Sequence, residues 1–196
     1  MTVDPAAYDD VVALGLCSRT SPPDAAPLLH PDLAVLAPLL GEWSGAGHGS
    51  YPTIEGFDYV ETLHFTHSGK PFVSYVQSSC HAGDTRALHT ETGYLRPVGS
   101  SRVELVVAQP TGIVEVDEGA LEPRGDGSLG IRMRSRVVGL TSSAKEVTEV
   151  ERCYHVEDDV LRTSLSMAAV GQPLTHHLAS ELHRRMPRPT ATEVMS

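Results

Sequence analysis

Apolar and polar residues alternate with a period of two along most of the middle of the chain. In Phe57-Asp58-Tyr59-Val60-Glu61-Thr62-Leu63-His64-Phe65 the alternation puts Phe57, Tyr59, Leu63 and Phe65 on one face, the signature of a half-buried strand. Segments 72–79, 88–96, 102–108, 112–121, 128–138, 146–155 and 160–167 read the same way. Between them lie turn residues, among them Ser68-Gly69-Lys70-Pro71, Pro97-Val98-Gly99-Ser100, Arg124-Gly125-Asp126-Gly127 and Glu157-Asp158-Asp159. Strands at such close, even spacing predict an antiparallel meander, and a long meander escapes exposed edges by closing into a barrel. Two stretches break the period. Over 31–40, Leu33, Leu36, Ala37 and Leu40 form a helical stripe that Gly41 would stop. Over 173–185, Leu174, Leu178 and Leu182 recur every four residues behind an early Pro173. The expected fold is all-β, an up-and-down barrel with a short helix near each end.

The ends differ from this middle. Pro and Asp interrupt residues 1–30, leaving at most a helical turn over 8–16, and 187–196 is rich in Pro and Thr. The expectation is a weakly structured N-terminal extension over 1–30, one barrel domain over 31–186 and a flexible tail over 187–196. A chain of 196 residues suits a single domain. Its 25 acidic against 15 basic residues give a formal charge of −10, which disfavours binding to nucleic acid or anionic membrane. No apolar run approaches the roughly 20 residues of a membrane span, and the first residues lack a secretory pattern, so a cytoplasmic protein is expected. Cys17, Cys80 and Cys153 stand far apart without a C-x-x-C pair, which argues against a disulfide framework.

Candidate chemistry concentrates in two places. If 43–51 is extended, Trp43, Gly45, Gly47, Gly49 and Tyr51 point one way. Three Gly on one face leave either a bare floor for a flat ligand or a sharply coiled strand at a barrel corner. The second place is Pro173-Leu174-Thr175-His176-His177-Leu178. Read as a helix, it puts His177 at the edge of the Leu stripe and His176 almost opposite. A neutral imidazole facing an apolar cavity is a good iron ligand. Met167 shares a strand face with Leu161 and Leu165, and His89 falls near a strand start at the cavity rim. His48, His64, His67, His81 and His155 show no spacing suited to a metal. Nucleophile-elbow and phosphate-loop patterns are absent from the sequence, and no G-x-G-x-x-G run leads from a predicted strand into a helix as a dinucleotide fingerprint does.

The stretch Gly41-Glu42-Trp43-Ser44-Gly45-Ala46-Gly47-His48-Gly49-Ser50-Tyr51-Pro52-Thr53-Ile54 resembles the G-x-W-x-G-x-G-x-G-x-Y-P-T-I motif of the nitrobindins. His67-Ser68-Gly69-Lys70-Pro71-Phe72, Glu91-Thr92-Gly93-Tyr94-Leu95-Arg96 and Pro173-Leu174-Thr175-His176-His177-Leu178 are similar to that family too, so the resemblance spans about 32 to 185. It implies a ten-stranded barrel like that of fatty-acid-binding proteins, holding one haem b per chain. The implied iron ligand and catalytic residue is His177. Thr53, Ile54, Leu88, His89 and Met167 match positions around the cofactor, with Leu88 and His89 on the distal side. The implied reaction converts peroxynitrite to nitrate at ferric haem, with nitric oxide as a further ligand, in a monomer or homodimer. The alternatives are a haem or nitric-oxide sensor without turnover, and a lipid carrier. A lipid carrier would place Arg and Tyr inside the barrel to hold a carboxylate, whereas a Gly face and His177 suit a planar macrocycle.

Overall fold

The computed structural model describes residues 27–185. The extension expected over 1–30 up to residue 26, its helical turn at 8–16, and the tail over 187–196 lie outside the described residues. A helix over Pro31–Leu39 precedes ten strands: β1 (Gly41–Tyr51), β2 (Ile54–His67), β3 (Val73–His81), β4 (Ala87–Val98), β5 (Arg102–Gln109), β6 (Ile113–Pro123), β7 (Leu129–Leu140), β8 (Val147–Glu157), β9 (Val160–Ala169) and β10 (Thr175–Arg184). Each strand pairs antiparallel with its sequence neighbours, and β10 returns to β1, which closes the barrel. Closure satisfies the backbone groups that β1 and β10 would otherwise leave as open edges. Because the strands alternate in direction, the β1–β2, β3–β4, β5–β6, β7–β8 and β9–β10 turns share one end of the barrel, here called the mouth. The helix lies at the other end.

That other end is plugged with hydrocarbon. The helix is a 3₁₀ helix, whose three-residue turn puts Leu33, Leu36 and Leu39 on its buried face, in place of the expected Leu33-Leu36-Ala37-Leu40 stripe. These leucines pack with Trp43, Leu63, Phe65, Leu95, Leu105, Leu161 and Leu182. The Trp43 indole donates to the Leu39 carbonyl at 2.8 Å. Arg184 lies over the same indole at 4.1 Å and donates to the carbonyls of Pro38 (2.9 Å) and Leu40 (2.5 Å). One side chain thus satisfies the carbonyls that the helix end leaves open. Gly41 does not stop the helix; it begins β1 at φ +125°, a conformation that favours glycine.

The second expected helix is a strand. Leu174, Leu178 and Leu182 recur every four residues, and a four-residue repeat fits a period of two as well as one of 3.6. What decides is β1, which needs a partner: Trp43 to Gly49 pair with Arg184 to Leu178. The strand buries Ser180 and Leu182 together, while Leu174 precedes it and is partly exposed. A β-bulge interrupts β10, because His176 pairs with Ser166 and Leu178 with Leu165, leaving His177 as the extra residue.

The alternating glycines of β1 are not a bare floor. A Cβ on Gly45 would overlap the Glu181 carbonyl across the β1–β10 ladder, so the strands approach closely there, as a coiled barrel corner requires. A Cβ on Gly47 would overlap the Tyr59 ring and Ser180 Oγ, and one on Gly49 the Phe57 ring. The space is taken by aromatic side chains of β2. Gly47→Val should therefore destabilise the cofactor-free barrel by roughly 1–3 kcal/mol, the usual cost of overpacking, as read from urea unfolding. Gly125→Ala, in an open turn with nothing within 4 Å, should change stability by less than about 0.5 kcal/mol. Equal stabilities for the Gly47 variant and the parent would contradict this packing.

Candidate functional site

The interior is layered from one end to the other. Above the apolar plug lies a belt of buried polar side chains, and above the belt a small apolar cluster of Tyr51, Ile113, Val147, Val150 and Ala169 lines the mouth, joined by Leu165 and Met167. His177 stands in this mouth. As the extra residue of a bulge, it escapes the strict alternation of β10 and is half-buried, whereas His176 is exposed. The expectation that His177 rather than His176 faces inward holds, but the cause is a bulged strand and not a helical face.

Three contacts set the His177 ring. Its Nδ1 lies 3.1 Å from the Ser50 carbonyl, which can only accept, so Nδ1 carries the proton and Nε2 keeps a free lone pair. The Tyr51 and Phe57 rings meet it edge-on, with centroids at 5.4 and 6.4 Å. Burial pushes its pKa below the usual histidine value despite the Ser50 bond, with smaller contributions from His176 and His89. A neutral, oriented imidazole with one free nitrogen is what a metal ligand requires, and the carbonyl behind it is the usual means of fixing such a ring. Tyr51 is anchored in turn: its hydroxyl donates to the Met167 carbonyl at 3.1 Å and accepts from the Ala169 amide at 3.0 Å.

The other expected positions collect at the same end. Thr53, in the β1–β2 turn, and Ile54, the first residue of β2, are exposed; Met167 is half-buried on β9. Leu88 and His89 lie at the start of β4, which the strand order places nearly opposite β10 across the barrel. His89 Nε2 is 3.5 Å from Glu91 Oε2.

The belt beneath them was not legible in the strand pattern. Glu61, Gln77, Glu91, Glu115, Asp117 and Arg152 occupy inward positions and are buried. Arg152 donates to Glu91 (2.6 and 3.0 Å) and to Glu115 (3.0 and 3.1 Å), and its Nε lies 3.5 Å from Asp117. The Tyr75 hydroxyl donates to Glu91 at 2.5 Å, while Glu61 accepts from Ser180 (2.5 Å) and Gln77 (3.1 Å). Burial works against ionising Glu91, but the Arg152 charge and the bonds from His89, Arg152 and Tyr75 hold its carboxyl well below the usual range. Burial raises Glu61 and Glu115, and pushes Asp117 up to about 7 with help from the charges of Glu115 and Glu91. One guanidinium serves several carboxylates, so part of the belt holds protons near neutral pH. An Arg inside a barrel is the device a lipid carrier uses, yet all three nitrogens of this one already bond to carboxylates.

Comparison with known proteins bears on this mouth. The family described as THAP4-like, heme-binding beta-barrel domain matches residues 32–184. The chain belongs to the nitrobindin family. This nitrobindin barrel is 52% identical over 157 residues to peroxynitrite isomerase 1 of Mycolicibacterium paratuberculosis (strain ATCC BAA-968 / K-10), covering 80% of this chain and 97% of that one. It is 51% identical over 167 residues to the peroxynitrite isomerase of Nocardia farcinica (strain IFM 10152), covering 85% and 99%. The crystal structure of Rv2717c from M. tuberculosis superposes with a TM-score of 0.79 at 46% identity, covering 81% of this chain and all of that one. Among the described residues of the nitrobindin barrel no helix is long and apolar enough to cross a membrane.

Asp117 gives the belt a pH signature. Its pKa is raised on folding, so the native state binds a proton that the unfolded chain has released by about pH 5. Stability is therefore lost as pH rises from the unfolded value toward about 7. Asp117→Asn removes that slope. Urea unfolding at pH 5 and pH 8 should show the variant gaining roughly 2 kcal/mol on the parent between the two. A difference that does not change with pH would mean that Asp117 is ionised throughout.

Proposed function

We propose that this chain holds one haem b in the mouth of the barrel through His177 and converts peroxynitrite to nitrate. The observation that carries the reading is the His177 ring, neutral and fixed by Ser50 with Nε2 free, in a family whose domain is described as haem-binding. The names of the relatives supply the reaction.

Ferric haem, once bound, supplies a Lewis-acidic iron with an open position at which a peroxynitrite oxygen can be polarised and its O–O bond rearranged. The chain's own contribution is separable from that chemistry. Ser50 holds the proton of His177 on Nδ1, which keeps Nε2 a lone-pair donor. Tyr51 and Phe57 hold the ring by its edges. Leu165, Met167 and Val150 give the mouth an apolar wall that excludes water from the reacting anion. Leu88 and His89, on the wall facing His177, stand on the substrate side. An isomerisation consumes no reductant, so the site needs no second cofactor. Nitric oxide, a small neutral ligand of iron, fits the same position. The same reading has the protein act in the cytoplasm.

His177→Ala should abolish or shift the Soret band of the haem-titrated protein and reduce nitrate yield in stopped-flow peroxynitrite decay to the uncatalysed level. His176→Ala, at an exposed position of the same strand, should leave spectrum and yield nearly unchanged, since such substitutions alter stability by less than about 0.5 kcal/mol. A loss confined to the His176 variant would overturn the assignment. A normal Soret band without nitrate formation in the parent protein would leave haem binding and remove the enzyme.

A further inference from the structure

We propose that Glu91, locked in place by Arg152, is a positioning residue that orients His89 as an N–H donor toward an anion bound on the open side of the haem site. This rests on the haem reading above and assigns a role that neither the fold nor the chemistry of the iron ligand requires.

The two-residue spacing puts His89 and Glu91 on the same inward face of β4, His89 one step nearer the mouth. Their exposures differ sharply, 31% for the His89 side chain and 4% for that of Glu91, so the pair bridges the solvent-reached mouth and the dry belt. Glu91 cannot move. Tyr75 donates to its Oε1 at 2.5 Å, and Arg152 reaches Oε1 at 2.6 Å and Oε2 at 3.0 Å, with Glu115 holding Arg152 from behind. Oε2 then lies 3.5 Å from His89 Nε2. With Nε2–H turned to the carboxylate, the ring can offer a proton to an anion only from Nδ1, and only when both nitrogens are protonated. The charged and titratable groups facing His89 are Glu91 on its own strand, Tyr75 on β3, Glu115 on β6, Arg152 on β8 and His177 on β10. The carboxylate nearest the imidazole is therefore also the one held most firmly ionised.

The test reads His89 in two forms of the full chain. In the cofactor-free protein at one fixed pH, the ¹⁵N resonance of His89 Nε2 should differ between Glu91→Gln and the parent, because the carboxylate that faces it is gone. In the ferric haem-loaded protein, fluoride serves as the anionic probe. Glu91→Gln and His89→Gln should each weaken its binding about five- to tenfold near pH 6.5, equivalent to one charge-assisted hydrogen bond. In the His89→Gln background, Glu91→Gln should weaken it no further, the pattern of a residue that acts through its neighbour. If Glu91→Gln fails to fold, Glu91→Asp keeps the charge for Arg152 while withdrawing the carboxylate from His89, and the same two readings apply. An unmoved His89 Nε2 resonance, or equal losses with and without His89, overturns the proposal. Absence of a Soret band in the parent would instead defeat the haem reading, while the cofactor-free resonance still decides whether Glu91 governs His89.

Discussion

The Arg152 guanidinium, buried with the carboxylates of Glu91 and Glu115 at hydrogen-bond distance and Asp117 just beyond, is the interaction on which the interior of this barrel depends. Taking these charges out of water costs several kcal/mol per ion, and only dense bonding among them recovers it. The Tyr75 hydroxyl and the His89 ring add partners to Glu91, and Gln109 adds one to Glu115, whereas neither oxygen of Asp117 has a hydrogen-bond partner among the described residues. The belt divides the barrel. On one side the 3₁₀ helix and Trp43 seal a dry core; on the other, the mouth is left to Tyr51, Phe57, Met167 and the two histidines. The floor of the mouth is therefore charged and internally bonded.

This division also separates the duties of the two histidine walls. On β10 the bulge turns His177 inward, and a backbone carbonyl, which has no charge to exchange, fixes its tautomer. On β4 the imidazole meets an ionised carboxylate. A neutral acceptor thus stands behind one ring and an anion behind the other, so the two imidazoles are oriented by different partners.

Much of the architecture was readable because alternation survives wherever one strand face is buried. Every strand from β2 to β9 showed it, and the Gly-x-Gly-x-Gly run marked β1. β10 was misread for a definite reason: a four-residue leucine repeat satisfies helix and strand periods equally, and only the need of β1 for a partner breaks the tie. The identity of the inward histidine survived that error because a bulge happened to turn the same residue. The polar belt was hidden more deeply. Glu61, Glu91, Glu115, Asp117 and Arg152 sit at inward positions of otherwise regular strands, where charge normally signals solvent, and their mutual compensation exists only across the closed barrel. The one hint was Glu61 in register with Tyr59, Leu63 and Phe65. The glycines of β1 were likewise ambiguous until Tyr59 and Phe57 were seen to lie across them.

A crystal structure of the haem-titrated protein tests the central claim most directly, because it shows the ligand, the floor and both histidine walls at once. The expected result is iron bonded to His177 Nε2 with Nδ1 still directed at the Ser50 carbonyl, the macrocycle in the mouth, and the Arg152 contacts to Glu91 and Glu115 intact beneath it. Iron bonded to another residue, or a macrocycle seated among the belt residues with Arg152 displaced, would contradict it.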